Sequence, residues 1–214
     1  MGLGTSLGIT ALSGAGEAGG ALLLDLFGTD ILVAYSFRKL SSTYSGNAVR
    51  VRRTSDNAEQ DIGFDGNGDL DTSALTTFLG SDDGFITKWY DQAGNNRDGA
   101  QTNANRQIKI ATGGTIETAN SLPTTQGNNN DALIISGIPL TSQPITTFDV
   151  YAHNTATGAG NSQTFKGQTS TSTNFIQTRI QRRVRFGAIT NDGTGQVQSF
   201  STTQHQDTDL HVVT

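Results

Sequence analysis

The sequence contains no cysteine, which excludes disulfide bonds, thiolate catalysis and cysteine-ligated metal sites. Only 3 of its 214 residues are proline, and 15% are charged, which is below the share of about a quarter that is usual in globular domains. Glycine, in contrast, occurs 26 times. The surface must therefore be built mainly from hydroxyl and amide groups, a composition that is typical of extracellular β proteins.

Positive charge and long apolar runs are also scarce. The net charge of −5 argues against a nucleic-acid partner. The longest apolar runs, 21–24 and 31–35, are far shorter than the roughly 20 residues of a membrane-spanning helix. His153, His205 and His211 show no ligand spacing. We therefore predict no nucleic-acid partner, no membrane insertion, no cofactor and no metal.

The first 20 residues lack the features of a secretory signal. They have no Lys or Arg at the start and no continuous apolar core, and seven of them are glycine. Glycine-rich chain behaves as flexible coil, so we assign residues 1–28 to an arm and 29–214 to one folded domain. An extracellular composition without an export signal predicts release by lysis, as part of a virus particle.

The only tryptophan lies in the stretch 85–97, which begins as a strand by its period-2 alternation. The stretch ends in turn chemistry at Gly94-Asn95-Asn96. An indole beside carboxylate and amide groups is a common way to hold a sugar ring, which predicts a carbohydrate-binding site at Trp89, Tyr90, Asp91, Gln92 and Asn95. The alternative is a buried core tryptophan followed by a capped turn.

The remaining pattern is that of an all-β protein with one short helix. Strands are predicted at 31–40, 48–54 and 59–64, and a helix at 72–79 with Asp71 as its N-cap. From residue 145 onwards, strands follow at the spacing of about 8–12 residues that is typical of a β-sandwich. The last predicted strand, 211–214, leaves an open sheet edge that favours assembly.

One loop needs separate consideration as a calcium site. Asp65, Asn67 and Asp69 match the first three ligand positions of an EF-hand loop. The positions that require Gly and Glu are occupied by Leu70 and Thr76. A glycine-rich turn that leads into the helix is the better interpretation.

Two segments, 34–64 and 69–101, carry a recognisable pattern that includes VRVRRTSDNAEQDIGF and WYDQAGN. The pattern resembles the catalytic domain of the α-L-arabinofuranosidase B family. This resemblance implies the concanavalin A-like lectin/glucanase fold, a jelly-roll β-sandwich. Similar segments occur in phage proteins, and the glycine-leucine start of the chain resembles those of phage particle proteins.

The chain lacks the residues on which the chemistry of that family depends. The family's hydrolases use a nucleophilic glutamate in an Asp-Met-Glu-Asn context and a vicinal Cys-Cys disulfide, and this chain has neither. A retaining glycosidase needs two carboxyl groups about 5–5.5 Å apart. No catalytic residue is predicted, because no family context surrounds the carboxylates after the central strand, which are Asp98, Glu117, Asp131, Asp149, Asp192, Asp207 and Asp209.

These observations support three hypotheses. The first is a phage virion structural protein, a capsid decoration or tail component, located in the extracellular particle. Its partners are other virion proteins, copies of itself and a host-surface glycan. The alternative is a glycoside hydrolase of the α-L-arabinofuranosidase type, and the third hypothesis is a lectin-type binding module without chemistry. The departures from the family favour the first hypothesis over the hydrolase.

Overall fold

The computed structural model describes residues 21–27, 31–127 and 131–137 with their side chains, and the backbone of six further strands between 149 and 213. It contains the helices α1 (Leu23–Phe27) and α2 (Thr72–Leu79) and a 3₁₀ helix (Ala104–Arg106). The first nine strands are β1 (Val49–Arg53), β2 (Glu59–Ile62), β3 (Gly84–Trp89), β4 (Gly99–Ala100), β5 (Ile108–Thr112), β6 (Thr115–Ile116), β7 (Thr118–Ala119), β8 (Leu122–Pro123) and β9 (Ile134–Ile135). The other six are β10 (Asp149–Ala152), β11 (Thr164–Gly167), β12 (Asn174–Ile180), β13 (Phe186–Asp192), β14 (Gln196–Phe200) and β15 (Leu210–Val213).

The strands pair in antiparallel sheets. The largest sheet has seven strands. Five of them follow the order β2-β1-β3-β4-β9, and the other two extend it because β5 also pairs with β3 and β6 pairs with β5. A second sheet has the order β11-β12-β13-β14, and two small sheets pair β10 with β15 and β7 with β8. The strand predicted at the end of the chain is therefore β15, in register with β10.

Alternation along β1 and β3 decides which side of the large sheet is buried. Val49 and Val51 are fully buried on one face, and Ile86 of β3 lies opposite Val51 on the same face. A bulge in the register leaves Thr87 as the extra residue, and Arg50 and Arg52 project from the other face. The apolar face of the sheet forms one side of the core.

Helix α2 covers this core because its apolar residues share one face. Leu75, Phe78 and Leu79 are buried against the sheet, and burial of each such side chain contributes about 1.5–3 kcal/mol. The helix begins at Asp71, whose carboxylate accepts a hydrogen bond of 2.8 Å from the Ala74 N–H. It ends at Gly80, whose N–H donates to the Thr76 carbonyl at 2.9 Å.

The turn between β5 and β6 approaches the end of α2 closely. Gly114 has a φ of +76°, and a Cβ atom there would lie 2.0 Å from the Gly80 carbonyl oxygen. Its N–H donates to the Asp82 carbonyl at 2.8 Å. Only glycine fits this position, which joins the helix to the edge of the sheet.

The predicted all-β fold is confirmed, and so is the helix at 72–79. The apolar segment 21–27, for which one or two helical turns are predicted, contains α1, a helix of a single turn. The concanavalin A-like jelly roll is a finer assignment and stays a prediction. The predicted division into an arm of residues 1–28 and a domain of residues 29–214 also stays a prediction, since residues 1–20 lie outside the described residues. Within the part of the chain that is described, no helix is long and apolar enough to cross a bilayer.

The predicted strand at 31–40 is wrong. This segment is extended, but it forms only one isolated bridge, between Arg38 and Asp69. Its backbone groups bond mainly to side chains of a distant loop instead of a neighbouring strand, for example the Ala34 N–H to Asp91 and the Leu40 N–H to Gln92. Alternation of apolar residues marks extended chain but does not reveal which groups satisfy its hydrogen bonds.

The N-cap of α2 provides a test of the helix boundary. Replacing Asp71→Ala should lower the free energy of unfolding by about 1 kcal/mol, because the Ala74 N–H loses its acceptor. Urea denaturation measures this loss. Ser73→Ala, an exposed change in the first turn of the same helix, should cost much less. Equal effects of the two changes would contradict the capping role.

Candidate functional site

The loop that follows β3 is built around the carboxylate of Asp91. Its Oδ1 accepts hydrogen bonds from the N–H groups of Ala34, at 2.9 Å, and Ala93, at 3.0 Å. Its Oδ2 accepts from the Arg97 N–H at 3.3 Å. Asp91 is 4% exposed, so these backbone donors surround a carboxylate that is removed from water. The side chain closes its own turn and holds the segment 31–40 at the same time.

Gln92 binds the same segment with both ends of its amide. Its Oε1 accepts from the Leu40 N–H at 2.8 Å, and its Nε2 donates to the carbonyls of Ser36 and Arg38, at 3.0 and 2.9 Å. Its backbone N–H donates to the Ala34 carbonyl at 2.8 Å. With 3% exposure, this amide has the hydrogen-bonding role that a neighbouring strand would otherwise have.

Two further side chains of the loop complete the contact. The Asn95 Nδ2 donates to the carbonyls of Ile31 and Leu32, at 2.8 and 3.1 Å. The Arg97 Nη1 also donates to the Leu32 carbonyl, at 2.9 Å. We refer to Asp91, Gln92, Asn95 and Arg97 together as the clamp. In the opposite direction, the Tyr35 hydroxyl of the held segment donates a hydrogen bond to the Arg97 carbonyl.

Trp89 lies beneath the segment that the clamp holds. Its ring stacks on Phe37, with centroids 4.7 Å apart and planes 17° from parallel, and Tyr35 lies tilted against it at 6.5 Å. The indole is partly buried and packs against the core. Its Nε1 is buried and has no hydrogen-bond partner among the described residues. These contacts favour the interpretation of a packed core tryptophan.

Tyr90 points to the opposite face of the sheet and into an ionic network. Its hydroxyl donates to Asp61 Oδ1 at 2.7 Å, and Arg50 binds both oxygens of Asp61, at 2.7 and 2.9 Å. Burial, with the Asp61 hydrogen bond, raises the pKa of Tyr90 to about 12. The Arg50 guanidinium lowers the pKa of Asp61, an effect that burial opposes. Lys88 lies over the Tyr90 ring, 5.3 Å from its centroid.

The five predicted carbohydrate-binding residues are therefore adjacent in sequence but divided in space. Asp91 and Gln92 are buried and bonded to backbone, and Trp89 packs on Tyr35 and Phe37. Tyr90 is half-buried, and Asn95 is exposed. Contact of these side chains with a sugar stays a prediction.

A cavity of about 350 Å³ lies on the outer side of the same loop. One wall comes from the loop itself, one from α1 and the first residue of the segment 31–40, and one from the turn after that segment. The described lining residues are Leu24, Asp25, Ile31, Ser41, Thr43, Tyr44, Gln92, Ala93 and Gly94. No sequence pattern indicates this cavity, because its walls come from three stretches that are far apart in the chain.

The carboxylate of Asp25 is the only charged group that the described residues contribute to this lining. It accepts hydrogen bonds from the Ser41 hydroxyl and the Ser42 N–H, both at 3.0 Å, and from the Leu22 N–H at 3.2 Å. Desolvation raises the pKa of Asp25, but the hydrogen bonds from Ser42, Ser41 and Leu22 outweigh it, so the net shift is downward. The group is therefore an ionised hydrogen-bond acceptor at neutral pH.

Two further carboxyl groups of the described chain are held by cations. The guanidinium of Arg53 lowers the pKa of Asp56, and the ammonium of Lys109 lowers that of Asp83. A glycosidase general acid needs a raised pKa, so Asp25, Asp56, Asp61 and Asp83 do not suit that role. Across the residues with described side chains, no group of three or more His, Cys, Asp or Glu is placed to hold a metal ion.

Comparison with known families identifies what this architecture belongs to. The sequence profile of the family described as "Alpha-L-arabinofuranosidase B, catalytic" matches residues 25–180, which is most of the chain. The chain belongs to this family. The match includes the clamp, the segment it holds and every described lining residue of the cavity except Leu24. No curated protein matches the chain.

Two solved structures of a GH54 α-L-arabinofuranosidase are similar to this chain. One was soaked with a cyclic sulfate inhibitor, and the other is a mutant soaked with 4-nitrophenyl α-L-arabinofuranoside. Each has 16% sequence identity and a TM-score of 0.36, and the alignment covers 79% of this chain and 50% of the solved one. The chain thus spans about half the length of the structures it matches.

The predicted role as a phage virion structural protein is wrong. The family that matches residues 25–180 is described as a catalytic domain of α-L-arabinofuranosidases and not as a capsid or tail protein. The alternative, a hydrolase of the arabinofuranosidase type, agrees better with this match. The partners and the location that the virion role implied are not tested by it and stay predictions.

The ionic network around Tyr90 was also missed, although a signal for it existed. In the hairpin of β1 and β2, Arg50 lies directly opposite Asp61, and cross-strand pairs of opposite charge are a common source of sheet stability. Recognition of the hairpin register would have paired these two residues. The part played by Tyr90 depends on the path of the chain after β3 and has no such local signal.

The clamp can be tested by an isosteric change of its amide. Gln92→Glu places a carboxylate oxygen against the carbonyls of Ser36 and Arg38 in a buried position, so the free energy of unfolding should fall by at least about 2 kcal/mol. The same change at the exposed Gln60 is the matched control and should cost less than about 0.5 kcal/mol. Chemical denaturation measures both, and similar losses would contradict the clamp.

The Asp61 network predicts a dependence of stability on pH. Because the folded-state pKa of Asp61 lies below its unfolded value of about 3.9, its stabilising effect is present above that value and is lost as the pH falls through the folded pKa. Both side chains of the ion pair are about a third exposed or more, so the pair contributes about 1 kcal/mol or less.

Asp61→Asn should therefore be less stable than the unmodified protein at pH 7, and the difference should shrink below about pH 4. Thermal unfolding at a series of pH values measures this difference. Tyr90→Phe, which leaves the pair with Arg50 intact, should show a smaller dependence on pH. A constant difference between Asp61→Asn and the unmodified protein from pH 7 to pH 3 would contradict the assignment.

Proposed function

We propose that the protein is a glycoside hydrolase of the α-L-arabinofuranosidase type. The observation that carries this proposal is the match of residues 25–180 to the arabinofuranosidase B catalytic family. The substrate class is accordingly a glycan with terminal α-L-arabinofuranosyl groups.

Hydrolysis of a glycosidic bond needs two carboxyl groups with different tasks. One gives its proton to the oxygen of the leaving group, and the other, ionised, attacks the anomeric carbon or activates the water that does so. When the second group attacks directly, water then releases the sugar, and the first carboxylate recovers its proton from that water.

The proposal assigns neither group to four of the described carboxylates, because the fold already engages them. Asp56, Asp61 and Asp83 are paired with cations, and Asp91 is enclosed by backbone N–H groups. Within this sequence, the carboxyl groups to be tested include the four aspartates that follow Gly137, namely Asp149, Asp192, Asp207 and Asp209.

A second candidate function is sugar binding without hydrolysis. It is favoured by the absence of the Asp-Met-Glu-Asn motif and of cysteine from this sequence, both of which the resemblance to the family would imply in a hydrolase. Such a protein would bind the same arabinofuranosyl groups and release no product. The two candidates therefore differ in turnover and agree in the ligand.

The decisive experiment is hydrolysis of 4-nitrophenyl α-L-arabinofuranoside by the purified protein. We expect release of 4-nitrophenol, reduced at least about a thousandfold by an Asp→Asn change at one or more of the four aspartates beyond Gly137. Asp56→Asn is the matched control, because Asp56 is exposed and paired with Arg53, and it should retain the activity.

The outcomes separate the two candidates. Release that depends on one of these aspartates supports the hydrolase. Binding of the arabinofuranoside, detected by calorimetry, without release of 4-nitrophenol supports the second candidate. If the protein neither binds nor hydrolyses the arabinofuranoside, both candidates are wrong.

A further inference from the structure

The cavity on the outer side of the clamp loop has the size and the construction of a small-molecule site. Its volume of about 350 Å³ lies within the range of about 300–1,000 Å³ that is usual for ligand pockets. Two of its walls are fixed by hydrogen bonds. The clamp holds Gln92 against the segment 31–40, and Asp25 holds the turn at Ser41 and Ser42.

The polar groups in the lining mainly accept hydrogen bonds. Asp25 presents an ionised carboxylate on an exposed side chain. The Ser41 hydroxyl donates to Asp25, so in the hydrogen bond of 3.0 Å between the Ser41 and Thr43 hydroxyls the donor is Thr43. The lone pairs of Thr43 Oγ1 then remain as acceptors. A ligand that presents several O–H donors would satisfy this set.

The remaining walls of the cavity are apolar. Leu24 and Ile31 supply aliphatic surface, and Tyr44 supplies an aromatic ring. The phenol is fixed, because its hydroxyl donates to the Asn47 carbonyl at 2.9 Å and its ring packs edge-on against Phe64. Gly46 leaves room for it, since a Cβ atom there would lie 2.5 Å from the Tyr44 hydroxyl. A fixed ring beside hydroxyl acceptors matches the C–H faces and O–H edges of a sugar.

Charge excludes several other ligand classes. Among the described residues, the lining contains one carboxylate and no Lys or Arg, so a phosphate, sulfate or uronate would meet an anion without a compensating cation from them. A metal ion would find a single carboxylate, which is too few ligands for a protein-built site. A neutral molecule rich in hydroxyl groups is the class that remains.

We propose that this cavity is a carbohydrate-binding subsite for one arabinofuranosyl residue of a neutral arabino-oligosaccharide. The choice of sugar rests on the proposed function, whereas the choice of a neutral polyhydroxylated ligand rests on the cavity itself. The subsite binds a part of the glycan that is not cleaved. None of its described lining residues belongs to the four aspartates to be tested for catalysis.

The test is binding of arabinotriose to the whole protein, with one variant that fills the cavity. Ala93→Phe places a benzyl group in the cavity and removes none of the side-chain hydrogen bonds of the clamp, since Ala93 contributes only its backbone N–H to Asp91. Ala104→Phe makes the same change at an exposed position outside the cavity and is the matched control. Isothermal titration calorimetry gives the dissociation constants, and thermal unfolding checks that both variants fold.

We expect Ala93→Phe to weaken arabinotriose binding at least tenfold and Ala104→Phe to leave it unchanged. Hydrolysis of 4-nitrophenyl α-L-arabinofuranoside should keep its kcat and KM in both variants, because this substrate has a single sugar. Equal affinity of the two variants for arabinotriose would overturn the proposal.

A measurement on the unmodified protein makes the test independent of how the variants fold. In amide NMR spectra, arabinotriose should shift the signals of Asp25, Ser41, Thr43 and Gly94, and shifts that avoid all four would overturn the subsite. Shifts there without any hydrolysis would support the subsite and count against the proposed hydrolase. Hydrolysis without such shifts would support the proposed hydrolase and overturn the subsite.

Discussion

The structure depends on a set of hydrogen bonds in which side chains take the place of a β-strand. The clamp residues Asp91 and Gln92 bind both N–H and carbonyl groups of the segment 31–40, which has no strand of its own to pair with. Buried backbone groups must find partners, and an unpaired one costs about 1–3 kcal/mol. By satisfying them, the clamp holds Phe37 against Trp89, joins the segment to the large sheet and fixes the loop that forms one wall of the cavity.

This arrangement explains why a specific sequence pattern says little about chemistry. In the WYDQ stretch, the buried side chains of Asp91 and Gln92 have fixed backbone partners, so a change of one atom there leaves a buried group unpaired. Asp91 and Gln92 have the residue types of a sugar-binding site, but their oxygen and nitrogen atoms are already occupied. The prediction of a virion protein was wrong because it rested on composition and on the glycine-rich start, and not on the pattern shared with the family.

Local features of the sequence were sufficient for the elements that local interactions stabilise. Helix α2 was predicted at its observed bounds, because the Asp71 cap, the apolar face and Gly80 all lie within ten residues. The segment 31–40 was misassigned, because its partners lie more than 50 residues away and are side chains. The cavity could not be predicted for a related reason. Asp25, Tyr44 and Gly94 come together only in the folded chain, and no periodicity in the sequence indicates that they do.

The long sequence separation within the clamp also has a kinetic consequence. The bond from the Ala34 N–H to Asp91 closes a loop of 57 residues, and the entropic cost of that closure falls once the pairing of β1, β2 and β3 inside the loop has shortened it. We therefore expect the segment 31–40 to dock late, after the transition state for folding of the sheet. Interactions that form after the transition state govern how fast a protein unfolds. The strength of the clamp should then set the lifetime of the native state, while the hairpins that form before it closes set the speed of folding.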